Sequence, residues 1–467
     1  MNEIDRLLAQ CGDLPKKHRR RLRRHLLSRL VCLGRHSITG LLTTAGRQFD
    51  DWTADYRFYA RQRVCPDAIF DSLRRQILAD HPDGPAVVAV DDTRTPHTGR
   101  KIPGAKYTRD PLGPPFSVNF IRANRFVQLS LACPTQGRQA RMIPIDLVHA
   151  PTADKLPAKA TEQQIQAHRQ QQQQRKLGHV ASERLHRLRR QLDQDGQTDR
   201  SLWAIGDGGY TNRTVLRDLP ERTVFIGRIR ADAKLFHLPQ INPRGRRRVY
   251  GPPLPTPEQI RQDEAIPWQT LTATACGKTH PFRVKTMGPV RWRASGPLNL
   301  RLIVIAPLAY RPSAGHRLMY RQPAYLICTD PDIALKDILQ AYLWRWDIEV
   351  NFRDEKSLLG IGEAKVRDAN SVQMVPAAGV AAYGLLMLAG LRLSADGQLS
   401  ERLAQPKWQK ATPPRICASR LIAHLRHELW HEALRKTHFV SSPAYHTNCE
   451  KQQPDLHSAL FYAVASG

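Results

Sequence analysis

Three short runs of the sequence place carboxylates where they can do chemistry. The run VVAVDDT (Val87–Thr93) is apolar and ends in two acids, Asp91 and Asp92. Such a continuous apolar run is a strand buried on both faces of a sheet, where an unpaired carboxylate is costly. Side chains alternate along a strand, so only one of the two acids faces a given site. LWAIGDGGYTN (Leu202–Asn212) repeats the plan: a second core strand ends at Asp207, with Gly206, Gly208 and Gly209 removing bulk around it. Carboxylates at the ends of neighbouring core strands suit hard cations, which take oxygen ligands. Taken singly, each aspartate reads equally well as a turn residue that closes a strand.

A third element separates these readings. AYLWRWDIEVNFRDEKSLLG carries Tyr342, Arg345, Glu349 and Lys356, spaced i, i+3, i+7 and i+14. On one continuous helix the four fall in a stripe roughly 60° wide, and Asp347 and Asp354 lie well off it. One face then offers a carboxylate flanked by two cations and a phenol. The carboxylate suits a shared metal, and the cations suit phosphates on either side of a scissile bond.

Y-x2-R-x3-E-x6-K resembles the signature of the DDE transposases of bacterial insertion sequences, specifically the insertion-sequence-four superfamily. All four positions match without a gap, a coincidence expected by chance in roughly one chain in several hundred. The resemblance extends from about residue 35 to 395. It implies a ribonuclease-H-like core of mixed sheet and flanking helices, interrupted by a β insertion between the second Asp and the Glu. It implies that Asp92, Asp207 and Glu349 are the catalytic and metal-binding residues. Asp92 is preferred over Asp91 because the family's first Asp often precedes Thr or Ser, as Asp92 precedes Thr93. GDGGY is a loose match, so Asp207 rests mainly on its strand-end position. Tyr342, Arg345 and Lys356 are implied to touch DNA phosphates, with Arg353 and Tyr325 as further DNA contacts and Trp268 and Trp292 as alternative aromatics. The implied cofactor is a pair of Mg²⁺ ions, replaceable by Mn²⁺. The implied reaction frees a 3′-hydroxyl at an element end and joins it to target DNA, with no covalent protein intermediate. Double-stranded DNA, as element ends and target, is the implied partner, bridged by a homodimer in the bacterial cytoplasm. Two other readings stay open: a ribonuclease-H-like nuclease without strand transfer, and a non-catalytic DNA-binding regulator.

The rest of the chain must position these residues. Its 467 residues carry 71 Lys and Arg against 42 Asp and Glu, a net charge of +29, and a surface so basic calls for a polyanionic partner. Eight cysteines stand singly with no C-x-x-C pair, which argues against a zinc finger or disulfide framework and for a reducing compartment. The first residues, MNEIDRLLAQCGD, lack the order of a signal peptide. Val375–Leu391 is free of charge but short and rich in Ala and Gly, so it reads as a buried core helix rather than a membrane span.

The periodicity divides the chain into five parts. Residues 1–80 predict a helical DNA-binding domain whose run KKHRRRLRRHLLSRL (Lys16–Leu30) suits phosphates. Residues 81–230 predict the first part of an α/β core, with strands at Ala86–Val90, Arg125–Cys133, Arg141–Val148, Leu202–Ile205 and Thr223–Ile229, and one long polar helix at Lys159–Gln194. Residues 231–322 predict a mostly β insertion containing a basic loop, Arg244–Arg248. Residues 323–395 predict the second part of the core with the catalytic helix. Residues 396–467 predict a C-terminal helical region, including the basic amphipathic helix Cys417–Lys436, for dimerisation or DNA contact.

Overall fold

The structure is a computed structural model and describes residues 1–436, apart from 13, 111, 112, 115, 241–247, 276, 312–314, 398 and 400–414. Arg244–Arg247 of the basic loop and most of the C-terminal region lie outside the described residues.

Helices α1 (Asn2–Ala9), α2 (Lys16–Val31), α3 (Ile38–Thr44), α4 (Thr53–Ala60) and α5 (Pro66–Asp80) come first. Strands β1 (Ala86–Pro96), β2 (Lys106–Arg109), β3 (Phe120–Thr135) and β4 (Gln139–His149) follow. Then come α6 (Glu162–Gln174), α7 (Leu177–Gln194), β5 (Leu202–Gly206), α8 (Arg213–Leu216) and β6 (Thr223–Arg228). The next stretch is β-rich: β7 (Leu235–Phe236), α9 (Pro257–Gln262), β8 (Gln269–Ala275), β9 (Lys278–Trp292), β10 (Leu300–Ile305), β11 (Ala309–Tyr310), β12 (Met319–Tyr320) and β13 (Ala324–Cys328). Last are α10 (Leu335–Trp344), α11 (Trp346–Ser357), α12 (Ala369–Ala395) and α13 (Ala418–Lys436).

The sheet is mixed. β1 pairs antiparallel with β3 on one side and parallel with β5 on the other, and β5 pairs parallel with β6. From β6 the sheet continues through β13, β10 and β9, so most strands of the β-rich stretch extend the same sheet, and β11 and β12 pair separately. Their apolar runs explain this. Leu302–Val304 and Leu326–Cys328 are fully buried, and such runs need cover on both faces.

Helices cover both faces. α12 is the long apolar helix, with mean hydropathy 1.8 over its most apolar window and 89% of that window buried inside the protein. It packs on β4 and on α2, α4 and α5, as expected of a core helix. Close packing with α2 depends on Gly379, where a Cβ would lie 3.0 Å from the Arg29 side chain and 2.2 Å from that of Ile361. The N-terminal helices therefore share one apolar cluster with the sheet. Much of the basic run of α2 is engaged internally: Arg23 pairs with Asp5, Arg24 with Asp55, and Arg29 donates to the Leu359 carbonyl. Lys16, Lys17 and Arg20 stay exposed.

Two expected helices are each divided. The polar helix breaks at Arg175–Lys176 into α6 and α7. The tetrad helix breaks at Arg345, where the amide of Arg345 donates to Tyr342 and that of Ile348 to Arg345. These i to i+3 bonds tighten the helix locally, so Tyr342 belongs to α10 and the other tetrad members follow the break.

Candidate active site

Sheet register brings the acidic strand ends together. The last registered pair between β1 and β5 is Val90 with Gly206, so Asp91 and Asp207 leave adjacent strands at the same level, about 4.8 Å apart along the hydrogen-bond direction. Gly206 is required here, because a Cβ would come within 2.8 Å of the Phe225 ring and 2.9 Å of the Tyr210 side chain. The turn after it fixes Asp207, whose Oδ1 accepts from the amides of Gly209 (2.8 Å) and Tyr210 (3.3 Å).

Alternation along β1 decides the direction of its two acids. Val87 and Ala89 pack with Leu335, Ile338, Ile348 and Phe352 of α10 and α11, whereas Val88 and Val90 belong to the other apolar cluster, with Leu185 and Leu188 of α7. Asp91 continues the first face and Asp92 the second. Accordingly Asp91 Oδ2 lies 3.3 Å from Arg345 Nη1, and Arg345 Nη2 lies 3.1 Å from Glu349 Oε1. Asp92 instead accepts from the Tyr210 hydroxyl at 3.2 Å and lies 3.7 Å from Arg94. It is Asp91, not the Asp92 preferred from the sequence, that shares a partner with Glu349.

Helix α11 is held to the sheet by buried polar contacts. Asp347 accepts from the Met142 amide (2.8 Å) and pairs with Arg141 (3.2 Å) and Arg415 (3.0 Å). Asn351 donates to the Met142 carbonyl at 2.7 Å. Glu355 accepts from Gln128 at 3.0 Å, and Gln128 stands directly opposite Asp91.

The charge balance is unusual. Burial raises the Asp91 carboxyl to about 7, opposed by Arg345 and reinforced by Asp207. Burial also raises Asp92, against Arg94, Arg125 and the Tyr210 bond. Tyr210 is pushed well above the usual phenol range by burial and then by Asp92, Asp91 and Asp207 together. Burial lifts Glu355 to about 8, so it is protonated at neutral pH. Burial and nearby Arg94 lower the Lys356 ammonium, which Glu355 and Asp92 partly offset. Lys356 makes no ion pair or hydrogen bond among the described residues.

The other expected contacts divide. Arg345 sits over the Tyr342 ring at 5.8 Å, so these two tetrad members act together. Arg353 lies on the outer side of α11, exposed and paired with Asp354 at 2.8 Å, away from the acids. Tyr325 is 4% exposed with its hydroxyl bonded to Glu258, so its ring is covered in this structure. Trp268 stacks beneath Arg283 (5.1 Å) and Lys285 (4.6 Å), and Trp292 is half-buried against the apolar core. Sequence reading passed over Tyr210 and Arg94. Their signal was present, as the Tyr that ends GDGGY and the Arg two residues after Asp92 on the same strand face.

Among the described residues no three His, Cys, Asp or Glu side chains converge closely enough to enclose a metal ion, and Arg345 spans the gap between Asp91 and Glu349. The donor chemistry nonetheless fits a hard divalent cation. The groups are all carboxylates, and burial and mutual repulsion leave the strand-end acids short of positive charge.

The chain belongs to the DDE superfamily endonucleases, whose family model matches residues 10–296. The match covers both strand-end acid motifs and stops before α11. No curated protein matches the chain. Membership brings the general chemistry of the superfamily: nuclease or transposase activity on DNA, generally with divalent metals such as Mg²⁺.

Proposed function

We propose that this protein is the transposase of an insertion sequence, which cuts DNA at the element's ends and transfers the freed 3′-hydroxyl to a target phosphate. The observation that carries this reading is the double ion pair of Arg345. It ties a strand-end acid, Asp91, to the helical acid, Glu349, and Asp207 stands beside Asp91 on the next strand. Asp91, Asp207 and Glu349 are the proposed metal-binding set, with Asp92 on the adjoining face as the alternative.

The strand order supports a ribonuclease-H-like core: the antiparallel β3 and β4, then β1, then β5 and β6 parallel to it. The β-rich stretch between Asp207 and Glu349 supports the inserted-domain arrangement. Exposed Lys16, Lys17 and Arg20 support DNA contact by the N-terminal helices, and a homodimer bridging two ends in the cytoplasm is the matching assembly.

Each residue has a physical task. A bound divalent metal would activate the attacking oxygen and neutralise charge at the scissile phosphate. Asp91, Asp207 and Glu349 would hold it, and the buried bonds of Asp347 and Asn351 keep Glu349 at a fixed distance from the sheet. Tyr210 orients Asp92 and does not itself ionise. Arg345 lies beside Asp91 and Glu349 and Lys356 nearer Asp92, and both would pair with phosphates flanking the cut.

The test is metal-dependent cleavage and joining of DNA that carries the element's ends, comparing wild type with Glu349→Gln. Cleavage and joining in Mg²⁺ or Mn²⁺, lost in the variant while end binding persists, is the expected result. Cutting without joining would favour a nuclease. Binding without cutting by either protein would favour a regulator.

A further inference from the structure

Beyond the acids, β3 runs out of the body of the sheet and pairs with β2 as a two-stranded ribbon. Tyr107 stands opposite Arg122, and Arg109 opposite Phe120. Directly opposed residues of an antiparallel pair share a face, as do residues two apart. These four side chains therefore form one checkerboard of aromatic rings and guanidinium groups. Tyr107 is 73% exposed and Phe120 61%, and Phe116 is 90% exposed just before the strand. Uncovered aromatic surface of this extent marks an interaction site.

Two further observations indicate what covers it. Residues 97–125 hold six cations, Arg100, Lys101, Lys106, Arg109, Arg122 and Arg125, against the single acid Asp110. That balance suits a polyanion and opposes a basic second copy of this chain. The same strand also links the ribbon to the acidic site, with Asn124 and Phe126 buried between them. Asp91 lies opposite Gln128 in an unbroken register, and Phe120 and Arg122 share the parity of Gln128 along β3. Eight residues of strand span about 26 Å, the length of roughly eight stacked base pairs.

We propose that the Tyr107–Arg109–Phe120–Arg122 face is a stacking platform for unpaired nucleotides of the DNA strand that leads away from the cut. It rests on the reading that the protein acts on DNA. Rings stack on bases of any sequence, and interleaved guanidinium groups take the phosphates between them. Arg122 is held on this face by its Nη2, which donates to the Arg100 carbonyl at 2.7 Å.

Fluorescence anisotropy of the full-length protein tests the proposal with two probes, a blunt DNA duplex and the same duplex carrying a single-stranded overhang. Wild type is expected to prefer the overhang. Tyr107→Ala combined with Phe120→Ala should lose roughly ten- to hundredfold of the overhang affinity and bind the blunt duplex as before. Tyr107→Phe combined with Phe120→Tyr should retain the preference, which separates ring stacking from disturbance of the ribbon. Unchanged overhang binding by the alanine variant, or loss of self-association in its place, would overturn the platform. Equal affinity of wild type for both probes would also overturn it alone. Binding of neither probe would remove the DNA reading itself.

Discussion

Two acids, buried Asp55 among the N-terminal helices and half-buried Asp91 at the end of β1, sit in opposite balances of charge. Asp55 has more partners than it can use: Arg24 and His25 at 2.8 Å and Arg21 at 3.3 Å. Burial works against its charge, yet His25 and Arg24 hold its carboxyl at about 2. Asp91 shares one arginine with Glu349 and has Asp207 and Asp92 as neighbours, and burial carries it to about 7. A structural acid gathers cations until its charge is secure. The strand-end acids remain short of positive charge, and that shortage is what a divalent ion can relieve.

The comparison can be broken by removing one charge on each side. Asp55→Asn leaves His25 and two arginines without their anion and should cost about 3–5 kcal/mol, as for other broken buried pairs, read as a lower urea midpoint. A Glu355→Gln variant examines a buried acid with no cation bonded to it. The folded carboxyl is raised to about 8 from its ordinary 4.5, so its stabilisation is complete below pH 4.5 and is lost as pH rises through 8. The variant, which keeps an acceptor for Gln128, should therefore gain on wild type by roughly 5 kcal/mol between pH 4.5 and pH 9. No gain over that range would show that Glu355 is charged and solvated.

Smaller effects sharpen the contrast. Lys356 is the spare cation beside the acids, and Lys356→Ala should weaken DNA binding at every sequence and lower the slope of log affinity against log salt by about 1. Asp91→Asn removes a repelled charge and should leave stability within about 1 kcal/mol of wild type. A loss as large as that of Asp55→Asn would place Asp91 among the structural acids.

Much of this was legible in the sequence, for reasons tied to particular residues. The apolar runs at Val87–Val90 and Leu202–Ile205 announced core strands, and the acids and glycines after them announced a site. The charge-free run after Val375 announced α12. Period-based reading could not see the break at Arg345, because the residue keeps helical dihedrals and only its hydrogen bonding changes. It could not see that Asp5 and Asp55, distant in the chain, engage the arginines of α2. The choice between Asp91 and Asp92 depends on which face of β1 meets α11, and that is set by tertiary packing. The fate of Tyr325 likewise depends on Glu258, 67 residues away.

The central claim is that the acid facing α11 is the one that does the chemistry. Cleavage of end DNA in Mn²⁺ by Asp91→Asn and by Asp92→Asn, each compared with wild type, tests it most directly. Asp91→Asn should lose more than about a hundredfold, and Asp92→Asn, which only adjoins the site, roughly ten- to a hundredfold. Full cleavage by Asp91→Asn with none by Asp92→Asn would contradict the account and move the metal-binding role to the other face of β1.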